Sequence, residues 1–284
     1  MSSECQSSLS FMRKNSLRFY ELSESFNARL VHGGQVVHQF PRHIHHSWSV
    51  GMVERGFRQF ETRKETFIIS AGECFIIPPR LPHTCQTSVD SWHEYWILCV
   101  PQQVIQQIFS ALYIEQQRFP TFLLGPIRDV SLVQLMRTFV EEAQQGGDLF
   151  TQKTLLLDII NHCLLYHTQE PPNVPALETP HEAVNIARDY LEQHFDQPIT
   201  LEELADAAAM SPFHLSRIFQ RIIGIPPYEY LVKIRLQHAQ TLLKHGESIA
   251  STAYSTGFSD QSHFTRFFKR HIGLTPGEYS RAAG

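Results

Sequence analysis

Between residues 30 and 100 the apolar positions fall in short stretches broken by Gly, Pro and charge. Residues 47–53 (SWSVGMV), 57–63, 67–70, 74–77 and 93–100 are rich in Val, Ile, Phe, Tyr and Trp. Glu54-Arg55-Gly56, Ala71-Gly72, Pro78-Pro79 and Pro82 punctuate them. Many short strands at this spacing predict a sandwich or barrel. After residue 100 the period becomes helical. Val104, Ile105, Ile108, Phe109 and Leu112 form one stripe, and Leu132, Leu135, Met136, Phe139, Val140 and Ala143 a second. Leu155, Leu156, Ile159, Ile160, Cys163 and Leu164 form a third. An amphipathic helix does not say what it packs against, so these stripes either cover the β region or meet a second subunit. Residues 169–180 (QEPPNVPALETP) carry no periodicity and are dense in Pro, which predicts a semi-rigid linker. The expected domains are therefore 1–168 (barrel about 30–100, helices 101–168), the linker 169–180, and 181–284.

The last region is strongly helical with well-marked ends. Thr200-Leu201-Glu202-Glu203 is a capping box, Ser211-Pro212 an N-cap followed by Pro at the first helical position, and Asp260 an N-cap candidate. Thr275-Pro276-Gly277-Glu278 is a further capping box, and Gly224 and Gly273 stand where helices should stop. The segment also repeats itself at an offset of 49 residues. HLSRIFQRIIGIPPYEY (214–230) and HFTRFFKRHIGLTPGEY (263–279) are identical at 9 of 17 positions. Each copy follows a short helix and a tight turn, at Ala208-Ala209-Met210 and at Thr256-Gly257-Phe258, which is a helix-turn-helix pattern. Two copies of one basic unit suit a polymer with a regular period, such as duplex DNA. The expected outward residues are Pro212, Phe213, Ser216, Arg217 and Gln220 in the first copy and Gln261, Ser262, Thr265, Arg266 and Lys269 in the second. Arg, Gln, Ser and Thr at the start of a recognition helix read base edges. Arg221, Lys269 and Arg270 are placed for phosphates. The connecting helix 227–244 spans roughly 27 Å at 1.5 Å per residue. That length suits recognition helices about 34 Å apart, one DNA turn.

Bulk charge changes this picture little. The 284 residues carry a net charge of −4, but binding needs only a local basic face. Residues 211–245 hold five basic side chains (Arg217, Arg221, Lys233, Arg235, Lys244) against Glu229 alone. Five scattered Cys without a CxxC pair argue for a reducing compartment. No apolar run reaches the ~18–20 residues of a membrane span, and residues 1–15 lack the apolar core of a signal peptide. The expectation is a cytoplasmic protein with no membrane association.

Residues 181–284 resemble the DNA-binding domain of AraC-type transcriptional regulators. The most specific signatures are Gly257-Phe258-Ser259-Asp260-Gln261-Ser262-His263-Phe264 and Gly273-Leu274-Thr275-Pro276. The resemblance implies a seven-helix bipartite domain whose recognition helices enter adjacent major grooves of double-stranded DNA. It also implies contact between the second copy and RNA polymerase. Arg42-His43-Ile44-His45 and Gly72-x5-Pro78-x4-His83 resemble the two short motifs of the cupin barrel used as sensor by many such regulators. The expected fold class is α+β: a cupin-like β-barrel with flanking helices, then an all-α double helix-turn-helix domain. Alternation puts His43 and His45 on one face of a strand. With His83 they suit a divalent metal or a metal-free hydrogen-bonding pocket, and no cofactor is required. Trp48, Tyr95, His46 and Trp96 are candidates to line the same effector pocket. The motif carboxylate is missing: Ser49 or Val50 stands where it is expected. That weakens the rival reading, a metal-dependent cupin enzyme with an appended DNA-binding module. The leading reading is a non-enzymatic, effector-controlled transcription regulator. A homodimer is expected through Leu155, Ile159 and Cys163, because dimerisation multiplies affinity through effective concentration.

Overall fold

The protein is described by a computed structural model covering residues 16–22, 28–37, 39–87, 91–113, 118–145, 148–172 and 181–283. Most of the Pro-rich stretch, residues 173–180, lies outside the described residues. The strands are β1 (Ser16–Glu21), β2 (Arg29–Val36), β3 (Phe40–His43), β4 (Ser47–Arg55), β5 (Phe57–Glu61), β6 (Thr66–Ser70), β7 (Cys74–Ile77), β8 (His83–Gln86) and β9 (His93–Pro101). They form two antiparallel sheets, β1-β2-β9-β4-β7 and β3-β8-β5-β6. Val36, Val53, Phe75, Ile77, Tyr95 and Ile97 of the first meet Phe60, Ile69 and Cys85 of the second in one core. Period-2 alternation accounts for β5, where Arg58 and Phe60 are buried and their neighbours half-buried. Strand β7 is apolar throughout (CFII) and fully buried. The sheet region begins earlier than residue 30, because β1 pairs along β2 from Ser16↔Gly34 to Glu21↔Arg29 as an edge strand.

The helices are α1 (Gln102–Leu112), α2 (Val130–Gln144), α3 (Leu149–Tyr166), α4 (His181–Gln193), α5 (Leu201–Ala207), α6 (Pro212–Ile223), α7 (Pro227–Lys244), α8 (Ile249–Ser255), α9 (Gln261–Ile272) and α10 (Pro276–Ala283). Contacts divide the chain into two compact units elsewhere than at the Pro-rich stretch. The sheets and Leu124–Val133 form one; Gln103–Leu123 and everything from Gln134 onward form the other. The segment expected to flank the barrel thus packs mostly with the C-terminal helices. The reason lies in α3. Twelve of its residues are buried, on every side of the helix, and it touches α5, α6 and α7. Leu155, Ile159 and Cys163 are all within 2% of full burial inside this unit. The expected dimer interface on these residues is therefore corrected: they are core.

The caps form as the sequence expects. Thr200 and Glu203 exchange both capping-box bonds, Ser211 accepts from the His214 amide, and Asp260 accepts from the amides of Ser262 and His263. Gly224 and Gly273 end α6 and α9 with φ near 88°. A buried arginine braces the first helix-turn-helix. Arg235 of α7 donates to the carbonyls of Phe195 and Gln197 at 2.7 and 3.0 Å and is only 5% exposed. It belongs to the fold rather than to the basic surface counted from sequence.

The two inter-helix turns differ at one telling position. Gly257 has φ 75°, and a Cβ there would lie 2.7 Å from the Phe195 carbonyl. The first copy places Ala209, exposed, at φ 51° in the matching slot. A left-handed conformation costs a non-Gly residue about 1–2 kcal/mol. Ala209→Gly should therefore be neutral or stabilising by up to about 1 kcal/mol. Gly257→Ala should destabilise by more than that, as read from urea unfolding midpoints.

Candidate functional site

Helices α6 and α9 carry the residues expected to read DNA. Gln220, Arg221, Gln261, Ser262, Lys269 and Arg270 are exposed, and Pro212, Phe213, Thr265 and Arg266 half-buried. Ser216 is not outward: it is 3% exposed and lines a small cleft with Leu157, Asp158 and Asn161 of α3. Arg217 is also covered, its Nη1 donating to the Leu112 carbonyl at 2.9 Å while the guanidinium lies 5.6 Å from the Tyr113 ring. Burial lowers the pKa of Arg217, and burial pushes that of Tyr113 up to about 12. In α9, Arg270 donates to Glu141 Oε2 at 2.9 Å and to Thr138 Oγ1 at 2.6 Å. Arg266 lies 3.8 Å and His263 3.7 Å from the carboxylate of Glu142, which is fully buried. The outward reading of Ser216, Arg217 and Arg266 is thus corrected. Acceptors on α1 and α2 partly cover Arg217 and Arg266, and Ser216 is buried beside α3. Sequence inspection missed Glu141 and Glu142 because nothing in their spacing says which helix they face.

The first unit holds a cavity of about 470 Å³. Its lining includes the apolar Leu17, Phe19, Val31 and Phe40, with His43, His45, Ser47, Ser49, Arg58 and Tyr95 among its polar groups. Strand alternation on β4 turns Ser47 and Ser49 toward the cavity, so Trp48, although buried, does not line it. His46, Trp96 and His83 are likewise absent from the lining, which corrects the expectation that they form it. His43 ends β3, whereas His45 sits in the following turn, so the two do not share a strand face as expected. The turn nonetheless brings their Nε2 atoms to 3.2 Å. His83, across from His43 in the β3–β8 register, completes a group of three imidazoles whose ligand nitrogens all lie within 4.8 Å of one another. The Nδ1 atoms of His43 and His83 face the carbonyls of Pro41 and Leu81, each at 2.7 Å. Nδ1–H donation there would put a lone pair on each Nε2, that of His43 toward His45 and that of His83 without a partner among the described residues, the arrangement by which backbone carbonyls orient metal ligands. The donor set fits a divalent ion such as Zn²⁺.

Arg58 is the residue that inspection of the motifs passed over. It lines the cavity, is 4% exposed, and has its guanidinium 4.2 Å from the centroid of the Tyr95 ring. The signal was present, since Arg58 falls in phase with inward Phe60. Burial, then the charges of His43 and Arg58, lowers the pKa of His45 from 6.5 to about 4. Burial lowers His83 to about 4 as well, with His43, His45 and Arg58 adding to it. His93 drops to about 4 by burial and then by Arg58.

A family profile described as "AraC-like ligand binding domain" matches residues 27–157, and one described as "Helix-turn-helix domain" matches residues 204–282. The chain is similar to the HTH-type transcriptional regulator YbfI of Bacillus subtilis, with 27% identity over 88% of this chain and 90% of that protein. It is similar to the HTH-type transcriptional activator RhaS of Escherichia fergusonii, with 28% identity over 91% of this chain and 92% of that one. Among solved structures, the C-terminal domain of AraT, a response regulator from Geobacillus stearothermophilus, is 35% identical over 35% of this chain and 84% of its own, with a TM-score of 0.34. Among the described residues no helix is long and apolar enough to cross a membrane.

The depressed histidines predict acid lability. The unfolded chain takes up these protons near pH 6.5, the folded chain only near pH 4. Their contribution to stability is present above pH 6.5 and is lost as pH falls through 4. Unfolding free energy should fall across that window, and His93→Phe should flatten the fall, as measured by urea titrations at stepped pH.

Proposed function

The chain belongs to the AraC family of DNA-binding transcription regulators, with a ligand-binding domain ahead of its helix-turn-helix domain, and on that footing we propose how it reads DNA and how that reading is held off. Helices α6 and α9 enter successive major grooves of double-stranded DNA. Arg217 and Arg266 meet base edges there, supported by Gln220, Gln261, Ser262 and Thr265, and Arg221, Lys269 and Arg270 meet phosphates. The observation that carries this reading is that Arg217, Arg266 and Arg270, three basic side chains of the two recognition helices, all meet acceptors on α1 and α2. Groups arranged to meet anionic or carbonyl oxygens are satisfied by the chain's own oxygens when DNA is absent. Binding DNA requires α1–α3 to release them.

A small-molecule effector in the cavity of the first unit sets the balance between the two states. It does so only as far as its affinity differs between them. The imidazoles of His43, His45 and His83 hold a divalent metal beside that effector. When bound, the ion supplies Lewis-acid coordination to a ligand oxygen. The residues themselves orient the ion through the Pro41 and Leu81 carbonyls. The protein acts in the cytoplasm as a homodimer, and its second helix-turn-helix touches RNA polymerase at the promoter.

Arg217→Ala and Arg266→Ala should each cost about 1–3 kcal/mol of specific binding, each relaxing base preference in its own half of the site. Arg221→Ala should weaken all sequences alike and flatten the salt slope. Glu142→Gln should act oppositely and raise the affinity of the effector-free protein. Anisotropy titrations at fixed salt, on duplexes selected from random sequence by the purified protein, measure all four. Unchanged affinity in both arginine variants would remove them from the reading surface. Elemental analysis should find about one divalent ion per chain in the wild type and none in His83→Ala.

A further inference from the structure

The cavity in the sheet unit contains one feature that a pocket for a neutral ligand does not need. Arg58 is a permanent cation, buried to 4% exposure. Among the described residues, its Nε and Nη1 have no hydrogen-bond partner. Aromatic rings surround it instead: Tyr95 at 4.2 Å and Phe40 and Phe75 each at 5.8 Å from the guanidinium carbon. No Asp or Glu is among the described residues lining the cavity, and a second guanidinium, Arg29, lines it too. The Cys85 and Tyr95 side chains interact with the guanidinium, but a buried charge is costly and is normally tolerated only with an opposite charge beside it. A methionine or leucine at this strand position would fill the same volume without that cost. The ring contacts offset part of the penalty but leave two N–H groups unanswered.

We propose that the effector of this protein is a small organic carboxylate whose carboxylate group pairs with Arg58 inside the sheet cavity. The proposal rests on the effector-sensing reading above and names its ligand class. A planar guanidinium fork matches a carboxylate with two parallel hydrogen bonds. The remainder of the ligand meets Leu17, Phe19, Val31, Phe40 and Ile97, so its body is apolar. Ser47 and Ser49 also line the cavity and accommodate one hydroxyl or ring heteroatom. A volume of about 470 Å³ falls within the range of small-molecule sites.

The test uses the full-length protein and a panel of aliphatic and aromatic monocarboxylates, each matched with its uncharged primary amide. Thermal shift and calorimetry read binding. Some acids should stabilise the wild type while their amides bind about tenfold or more weakly, the scale of a charge-assisted pair. Arg58→Met should lose that discrimination and, with no ligand, should melt higher than the wild type, because the unpaired charge is gone. Arg58→Lys keeps the charge and loses the fork, so acids should bind it with intermediate affinity. Amides matching acids, or no acid in the panel shifting the wild type, overturns the proposal. A lower melting temperature for ligand-free Arg58→Met with acid binding retained assigns Arg58 to the fold and overturns it equally. An acid that binds through Arg58 but leaves DNA affinity unchanged upholds the site and counts against effector control alone.

Discussion

A helix that is apolar on every side cannot face water, and α3 is such a helix. Phe150, Leu155, Leu156, Leu157, Ile159, Ile160, Cys163 and Leu164 between them leave it no polar stripe wide enough for solvent. Thr151, Lys153, Thr154 and Asp158 are buried with them. Lys153 is satisfied by Glu202 at 2.7 Å. Burial pushes the pKa of Asp158 up to about 8. The helix must therefore be covered, and the described chain covers it with α5, α6 and α7. From that single constraint follow the grouping of 103–123 and 134–172 with the C-terminal helices, the burial of Ser216, and the placement of Arg217 under Leu112 and Tyr113.

The contacts made by the arginines of α6 and α9 are of two strengths. The arginine bonds to Leu112, Glu141 and Thr138 are short but lie near solvent, where ion pairs contribute little. The Glu142 carboxylate is fully buried with only long contacts to His263 and Arg266, at 3.7 and 3.8 Å. A buried carboxylate paired at such distances recovers its desolvation cost poorly. The closed arrangement therefore rests mainly on the apolar cover over α3, and the polar contacts add specificity.

The sheet unit stores its chemistry differently. One cavity gathers the imidazoles of His43 and His45, two serines and the guanidinium groups of Arg29 and Arg58, and His83 adjoins its two histidines. Burial keeps the imidazoles of His45 and His83 neutral near pH 7, which leaves them as lone-pair donors rather than cations. The guanidinium of Arg58 offers N–H donors and the neutral imidazoles beside it offer lone pairs, so the two kinds of group present different chemistry.

How much of this was legible in the sequence follows from the range of the forces involved. Local rules determined the strands by alternation, the helix starts by Thr200, Ser211 and Asp260, the helix ends by Gly224 and Gly273, and the duplicated reader by its repeat. Each of these depends on residues within a few positions of one another. The convergence of His43, His45 and His83 was anticipated from motif spacing, although a turn rather than a shared strand face brings the first two together. What only the tertiary structure decided were contacts between residues far apart in the chain: Arg270 with Glu141 across 129 positions, Arg217 with Leu112 across 105, Arg58 with Tyr95. Periodicity says that Leu155 and Ile159 share a buried stripe but not whether a second subunit or the chain's own recognition helices will cover it. That choice depends on which apolar faces are left to pair after all the others have been satisfied, and no window of sequence contains them all.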